Sequence, residues 1–148
     1  MTSTFTVVTR TSAPADALFD ASLSIDAHVE SLSHSGERAI AGVTSGMIGL
    51  GETVTWRARH FGVWFTMTSK ITELDRPHRF VDEQVQGPFK RFHHVHEFAT
   101  EHGATIMSDT ITVASPVFGR LAERLVLVPY LRRLIRTRNE HLVRSLVG

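Results

Sequence analysis

Four side chains able to move a proton, ligate a metal or anchor a polar ligand sit on strand-like stretches of this chain. In Phe92-His93-His94-Val95-His96-Glu97-Phe98 an extended backbone puts Phe92, His94, His96 and Phe98 on one face. His93, Val95 and Glu97 fall on the other. Two aromatic rings and two imidazoles on one strand face suit neither a dry core nor a wet surface. They suit the wall of an apolar cavity with a few placed polar groups. Asp82 lies in the segment Phe80–Gln86, which ends in the turn signal Gly87-Pro88, so this segment and the histidine strand read as a hairpin aimed into that cavity. Asp109 shares the inner face of Thr105–Ala114 with Met107, Ile111 and Val113.

Three chemistries fit these residues. Imidazoles two residues apart on a strand can converge on a metal, with Asp82 and Asp109 completing the site. Glu101, five residues after His96, adds a faint cupin-like HxH…E pattern, but a cupin does not end in a thirty-residue helix. An Asp–His pair can act as general acid and base near neutrality. Imidazoles bonded to carboxylates can also simply satisfy one another and orient a ligand's polar group. The chain is read as free of metal and cofactor, with His94, His96, Asp82 and Asp109 as one hydrogen-bonded cluster and as the catalytic candidates. His28, His34, His78, His102 and His141 stand in polar surroundings and read as solvated.

The elements that must position this cluster follow from periodicity. Thr4–Thr11 reads as a first strand. Ser12-Ala-Pro14-Ala-Asp16 starts a short helix with Ser12 as its cap, and Ser24-Ile25-Asp26 opens a second. Glycines 42, 46, 49 and 51 superficially suggest a phosphate cradle, but they run into the strand Glu52–Phe61 with no helix to hold an anion. They read as a tight strand connection. Strands Val63–Leu74, 79–86, 91–100 and Thr105–Ala114 follow. Leu121, Leu125, Val128, Leu131, Ile135, Leu142 and Leu146 form a helical stripe over the last thirty residues, with a kink expected near 128 because Pro129 lacks an amide hydrogen. The expected fold class is α+β: a curved antiparallel sheet of about seven strands wrapped around a long C-terminal helix, in one domain over residues 1–148. The expected cavity lies between sheet and helix, lined by Trp56, Met67, Phe80, Phe98, Met107, Leu121 and Leu125.

Composition excludes several classes. The absence of cysteine rules out a disulfide framework, a thiolate nucleophile and a cysteine-ligated metal. No apolar run approaches the roughly 20 residues of a membrane span, and no signal peptide is evident, so a cytoplasmic protein is expected. The net charge of +1 hides an asymmetry: residues 118–148 carry seven arginines against Glu123 and Glu140. Arg132, Arg133 and Arg136 are expected outward, either as a solvated helix face or in weak contact with an anionic membrane. No nucleic-acid partner is expected.

The element order resembles the helix-grip fold of the START-like (SRPBCC) superfamily, which includes the birch-pollen-allergen and polyketide-cyclase/dehydrase-like families. More specific are Ser45–Gly62 with Trp56, Ala58, His60 and Phe61, then Phe80-x-Asp82-Glu83, Gly87-x-Phe89-Lys90 and Phe92-x-His94-x-His96-x-Phe98. These look like a bacterial branch often labelled cell division inhibitor. The resemblance implies that Trp56, His60, Asp82, His94, His96, Phe98 and Asp109 face the cavity. It implies binding or transport of a small hydrophobic molecule, a lipid, polyketide or isoprenoid, or else a cyclase or dehydratase using an Asp–His pair. Pro129 and the apolar run Val63-Trp64-Phe65 depart from the pattern.

Overall fold

The computed structural model describes residues 2–115 and 120–147. Strand β1 (Ser3–Thr11) leads into helices α1 (Ala15–Leu23) and α2 (Ile25–Ser31). Strands β2 (Arg38–Gly42), β3 (Thr53–His60), β4 (Val63–Asp75), β5 (Arg79–Gln86), β6 (Arg91–Glu101) and β7 (Ala104–Ala114) follow. The chain closes with a helical turn, α3 (Arg120–Ala122), and the long helix α4 (Val128–Val147). The seven strands form one antiparallel sheet in the order β1-β7-β6-β5-β4-β3-β2, so the first and last strands pair with each other. The sheet curves around the C-terminal helix. Residues 116–119, with the start of the arginine-rich segment, lie outside the described residues.

Period-two patterning sets which face is inner. Along β7 Thr105, Met107, Asp109, Ile111 and Val113 are buried while the residues between them are half-exposed. Thr4 and Thr6 of β1 face Thr112 and Thr110 across the outer face, with hydroxyls 3.0 and 3.1 Å apart. Between β4 and β5 the register shifts twice, between Thr68 and Ser69 and between Ile71 and Glu73. Such bulges bend a strand and re-aim its side chains. Here they bracket the stretch where Ser69 and Ile71 face Gln84 and Asp82.

Helices α1 and α2 close one end of the concave face. Phe19, fully buried, meets Phe80 and Phe98 edge-on at 5.4 and 5.2 Å, an arrangement worth about 0.5–1.5 kcal/mol per pair beyond burial. Ser24 caps α2 as expected, accepting from the Ala27 amide at 3.1 Å. Ser12 does not cap α1. Pro14 stands at that position without a side-chain cap, and the nearby amide of Ala13 donates to Thr11 Oγ1 instead.

The glycine-rich segment is a strand connection. It carries β2 back to β3 and docks on the α1–α2 junction through Ile25 N to Gly46 O and Ile48 N to Leu23 O. Gly42 is required at its start: φ is +72°, and a Cβ would sit 2.2 Å from the Thr53 carbonyl oxygen.

The helix departs from a simple stripe. Residues Glu123–Leu127 form a π-turn, in which the Val128 amide reaches back five residues to the Glu123 carbonyl. Pro129 has no N–H to give Leu125, so the wider turn carries the chain past it, and Pro129 falls in the tolerant first turn of α4. At the place where a kink is expected, near 128, the structure has this π-turn running directly into the helix that contains Pro129. The extra residue rotates what precedes it by about 100° relative to α4. Glu123 turns inward, accepting from Ser3 Oγ at 2.6 Å and the Ser115 amide at 3.1 Å. Leu121 and Leu125 turn outward and are 71% and 67% exposed.

Candidate functional site

Sheet and helices enclose a cavity of about 330 Å³. Its wall is mostly apolar: Trp56, Phe65, Met67, Ile71, Phe80 and Phe92 come from the sheet, and Leu127, Leu131, Leu134 and Ile135 from the helical segment. Polar groups gather in two places.

The first is the predicted cluster, held by three adjacent strands and the helix. Register places Asp82 opposite His94 on β5–β6 and His96 opposite Asp109 on β6–β7. Asp109 is fully buried and fully engaged. Its Oδ1 accepts from His94 Nε2 at 2.8 Å and Arg138 Nη1 at 3.3 Å, and its Oδ2 accepts from Asn139 Nδ2 at 2.8 Å. His96 Nε2 contacts Asp82 Oδ2 at 2.6 Å. The two imidazoles stack at 3.7 Å, and Phe80 stacks on the far side of His96 at 3.9 Å.

Charge states follow from these contacts. Burial favours the neutral Asp82 acid, but the His96 hydrogen bond and the His94 and Arg138 charges outweigh it and hold the carboxyl at about 2. Asp109 is held well below the ordinary carboxylate range: burial is overcome by the adjacent imidazoles and Arg138. Burial, with His96 alongside, pushes the His94 imidazole down to about 4 despite its carboxylate neighbours. Ionised carboxylates only accept, so His94 and His96 each donate through Nε2. His94 Nδ1 then carries a lone pair, 3.9 Å from Asp82 Oδ2.

Asp82, His94 and His96 offer ligand atoms that lie within 4.8 Å of one another. A metal must lie in the plane of each imidazole that binds it. Rings stacked 3.7 Å apart with planes only 20° from parallel share no such point within ligating distance, so one of them would have to turn.

The second polar place is further along the wall. His60 Nδ1 and the Tyr130 hydroxyl lie 2.6 Å apart, joining the end of β3 to α4. Burial lowers the His60 pKa and raises that of Tyr130. His28 stacks on Trp56 at 4.1 Å and contacts Glu37 at 3.2 Å.

Of the expected lining residues, Trp56, His60, Met67, Phe80, Asp82, His94 and His96 reach the cavity. Phe98 and Met107 do not; they are buried in the core beneath α1. Asp109 sits behind the imidazoles rather than at the wall. Leu121 and Leu125 point to solvent, because the π-turn shifts their register, and Leu127, Leu131 and Leu134 take their place. His28 is a wall residue and not a solvated one. Among the outward arginines expected, Arg132 is committed: it donates to the Thr6 carbonyl at 3.0 Å and lies over the Phe5 ring. Arg133 and Arg136 are exposed, whereas Arg138 is buried. Sequence reasoning missed Arg138, Asn139, Tyr130 and Ser69. The only signal for the first two was their place four and three residues before Leu142, respectively, on the inward stripe.

No family model matches the chain, and no curated protein matches it. Solved structures do. The di-domain ARO/CYC BexL from the BE-7585A biosynthetic pathway is 20% identical with a TM-score of 0.79, over 99% of this chain and 50% of its own. The Zhui aromatase/cyclase of a Streptomyces species is 14% identical with a TM-score of 0.77, over 99% of this chain and 94% of its own. Ginseng major latex-like protein 151 from Panax ginseng is 14% identical with a TM-score of 0.71, over 99% of both chains. At these identities the likeness concerns the fold alone, and with the sheet order and the gripped helix it is decisive there: the chain has a helix-grip fold.

Proposed function

We propose that this protein binds and carries one small, largely apolar molecule of lipid, polyketide or isoprenoid type, held between sheet and C-terminal helix. One observation carries the reading: a cavity of about 330 Å³ whose mostly apolar wall is interrupted by polar groups at two places, one of them the buried Asp82–His94–His96 cluster. Such clefts take their affinity from the wall and their orientation from a few polar groups. Native mass spectrometry of protein purified from its own host should find one co-purifying small molecule per chain. Replacing His94 with Phe keeps the stack but removes a polar anchor. It should weaken a hydroxylated naphthalene about fivefold, the worth of one hydrogen bond, and naphthalene itself less than about twofold. Equal losses for both would mean that His94 only packs.

A second reading, a cyclase or dehydratase, is favoured by the 2.6 Å contact of His96 with Asp82 at the cavity wall and by the aromatase/cyclases among the similar structures. The two readings separate on turnover. Conversion of a β-hydroxyketone probe to its dehydrated product, lost in Asp82→Asn, would make the protein an enzyme; binding without conversion makes it a carrier.

Among the described residues no helix is long and apolar enough to cross a membrane. Weak docking to an anionic surface is left to Arg133 and Arg136, at about 1 kcal/mol each. Co-sedimentation with phosphatidylglycerol vesicles should be slight at low salt and absent at high salt or in an Arg133→Gln/Arg136→Gln variant. Binding indifferent to both would exclude this mechanism.

A further inference from the structure

We infer that the polar end of the cavity selects a ligand head that donates a hydrogen bond, a hydroxyl or an amine, through Ser69 and Asp82, and rejects a carboxylate. The inference rests on the carrier reading and specifies what that cavity recognises.

Of the buried side-chain polar atoms without a hydrogen-bond partner among the described residues, Ser69 Oγ, His96 Nδ1 and Asn139 Oδ1, Ser69 Oγ is the one outside the Asp109 cluster. Ser69 lies on the inner face of β4, only 4% exposed, at the cavity wall. A buried hydroxyl without a partner costs stability, so a valine or alanine would serve the packing better. Across the sheet Ser69 faces Gln84 and its neighbour Ile71 faces Asp82, which makes Ser69 and Asp82 diagonal neighbours on one face. Diagonal positions lie about 7–8 Å apart, within reach of one head group placed between them. The bulges on either side of this stretch aim both side chains inward.

The electrostatics decide what that head group is. Arg138, the cation at this end of the cavity, has its Nη1 on Asp109, so the two charges offset each other. Both imidazoles spend their Nε2 hydrogens on the carboxylates. Asp82 accepts from His96 through Oδ2, and its side chain retains 21% exposure toward the cavity. What faces the ligand is therefore a carboxylate, an imidazole lone pair on His94 and a hydroxyl free to donate or accept. A ligand hydroxyl can donate to Asp82 while accepting from Ser69, and an amine can donate to both. A carboxylate would meet like charge in a site with little water to screen it.

The test uses matched naphthalenes: 2-naphthol, 2-naphthylmethylamine and 2-naphthoate, titrated at pH 7.5 by displacement of the fluorophore N-phenyl-1-naphthylamine. Naphthol and the amine should bind about tenfold or more tightly than naphthoate, and their order assigns the head as hydroxyl or amine. Asp82→Asn should bring naphthoate to within about threefold of naphthol. Ser69→Ala should weaken naphthol about fivefold. That variant breaks no internal hydrogen bond, so its Tm should stay the same or rise by up to about 4 °C. Better stability with worse binding is a signature that a merely structural serine does not produce. Naphthoate binding as well as naphthol would overturn the inference and make Arg138 the group that the ligand meets. Naphthol binding unchanged in Ser69→Ala would overturn it too. Failure of every probe, the fluorophore included, would instead sink the carrier reading itself.

Discussion

Replacing Asp109 with Ala is expected to cost about 3–5 kcal/mol of stability, read from urea denaturation at pH 7.5. The carboxylate is fully buried and engages His94, Arg138 and Asn139 at once, at 2.8, 3.3 and 2.8 Å. Removing it leaves the Arg138 guanidinium, itself 3% exposed, without its counter-charge, and such an uncompensated buried ion dominates the cost. Removing both charges should behave differently. Asp109→Leu combined with Arg138→Met replaces the pair with apolar volume and should recover most of the loss, because a buried ion pair contributes little net stability over well-packed hydrocarbon. A loss below about 1 kcal/mol in Asp109→Ala would mean that water reaches the cluster and the site is not the dry one described.

Stability should also fall as the solution is acidified from neutrality, and the sign follows from the direction of each shift. His94 protonates near 6.5 when unfolded and at about 4 in the fold. Between those values the unfolded chain holds the extra proton, so lowering the pH favours unfolding. The loss over that window is about 3 kcal/mol in order of magnitude. Asp82 and Asp109 act next and in the same direction. Their folded values lie below the unfolded 3.8, so the stability that they contribute is present above 3.8 and disappears as pH falls through their folded values. Urea midpoints measured at pH 7.5, 5.5 and 4.5 should decline steadily. In His94→Phe the decline between 6.5 and 4 should flatten while the loss below 3.8 persists. A flat wild-type profile from 7.5 to 4.5 would contradict the burial of His94.

The residues show where sequence was readable. The face carrying Phe92, His94, His96 and Phe98 was legible because a strand's period is two and nothing in β6 interrupts it. Asp109 was placed on the inner face for the same reason. The helix was legible as a helix but not in register. A stripe counted from Leu142 backwards runs inward through Leu134, whereas the π-turn before Pro129 turns Leu121 and Leu125 outward, and no periodicity argument anticipates one extra residue. Arg138 was hidden in a run of arginines that reads as a solvated face; only the depth of Asp109 on the opposite layer explains why this one is buried. His28 looked polar by its neighbours in sequence, yet it stacks on Trp56, 28 residues away. Strand β2 was not picked out individually because Ile40 bulges between Ala39 and Ala41 and breaks the alternation. The cluster itself was legible as types and spacing. Which nitrogen faces which oxygen depended on three strands and a helix meeting, and that is tertiary information.

The central claim is that the space between sheet and helix holds one small apolar molecule, and titration with N-phenyl-1-naphthylamine tests it most directly. Wild-type protein should give saturable one-to-one enhancement of fluorescence at micromolar concentration. Ala58→Phe should abolish it, because Ala58 is a small inner-face residue at the cavity wall and a ring there occupies the ligand's volume. Circular dichroism at the same temperature should confirm that the variant is folded. No saturable enhancement by the wild type, or equal enhancement by a folded Ala58→Phe, would contradict the account.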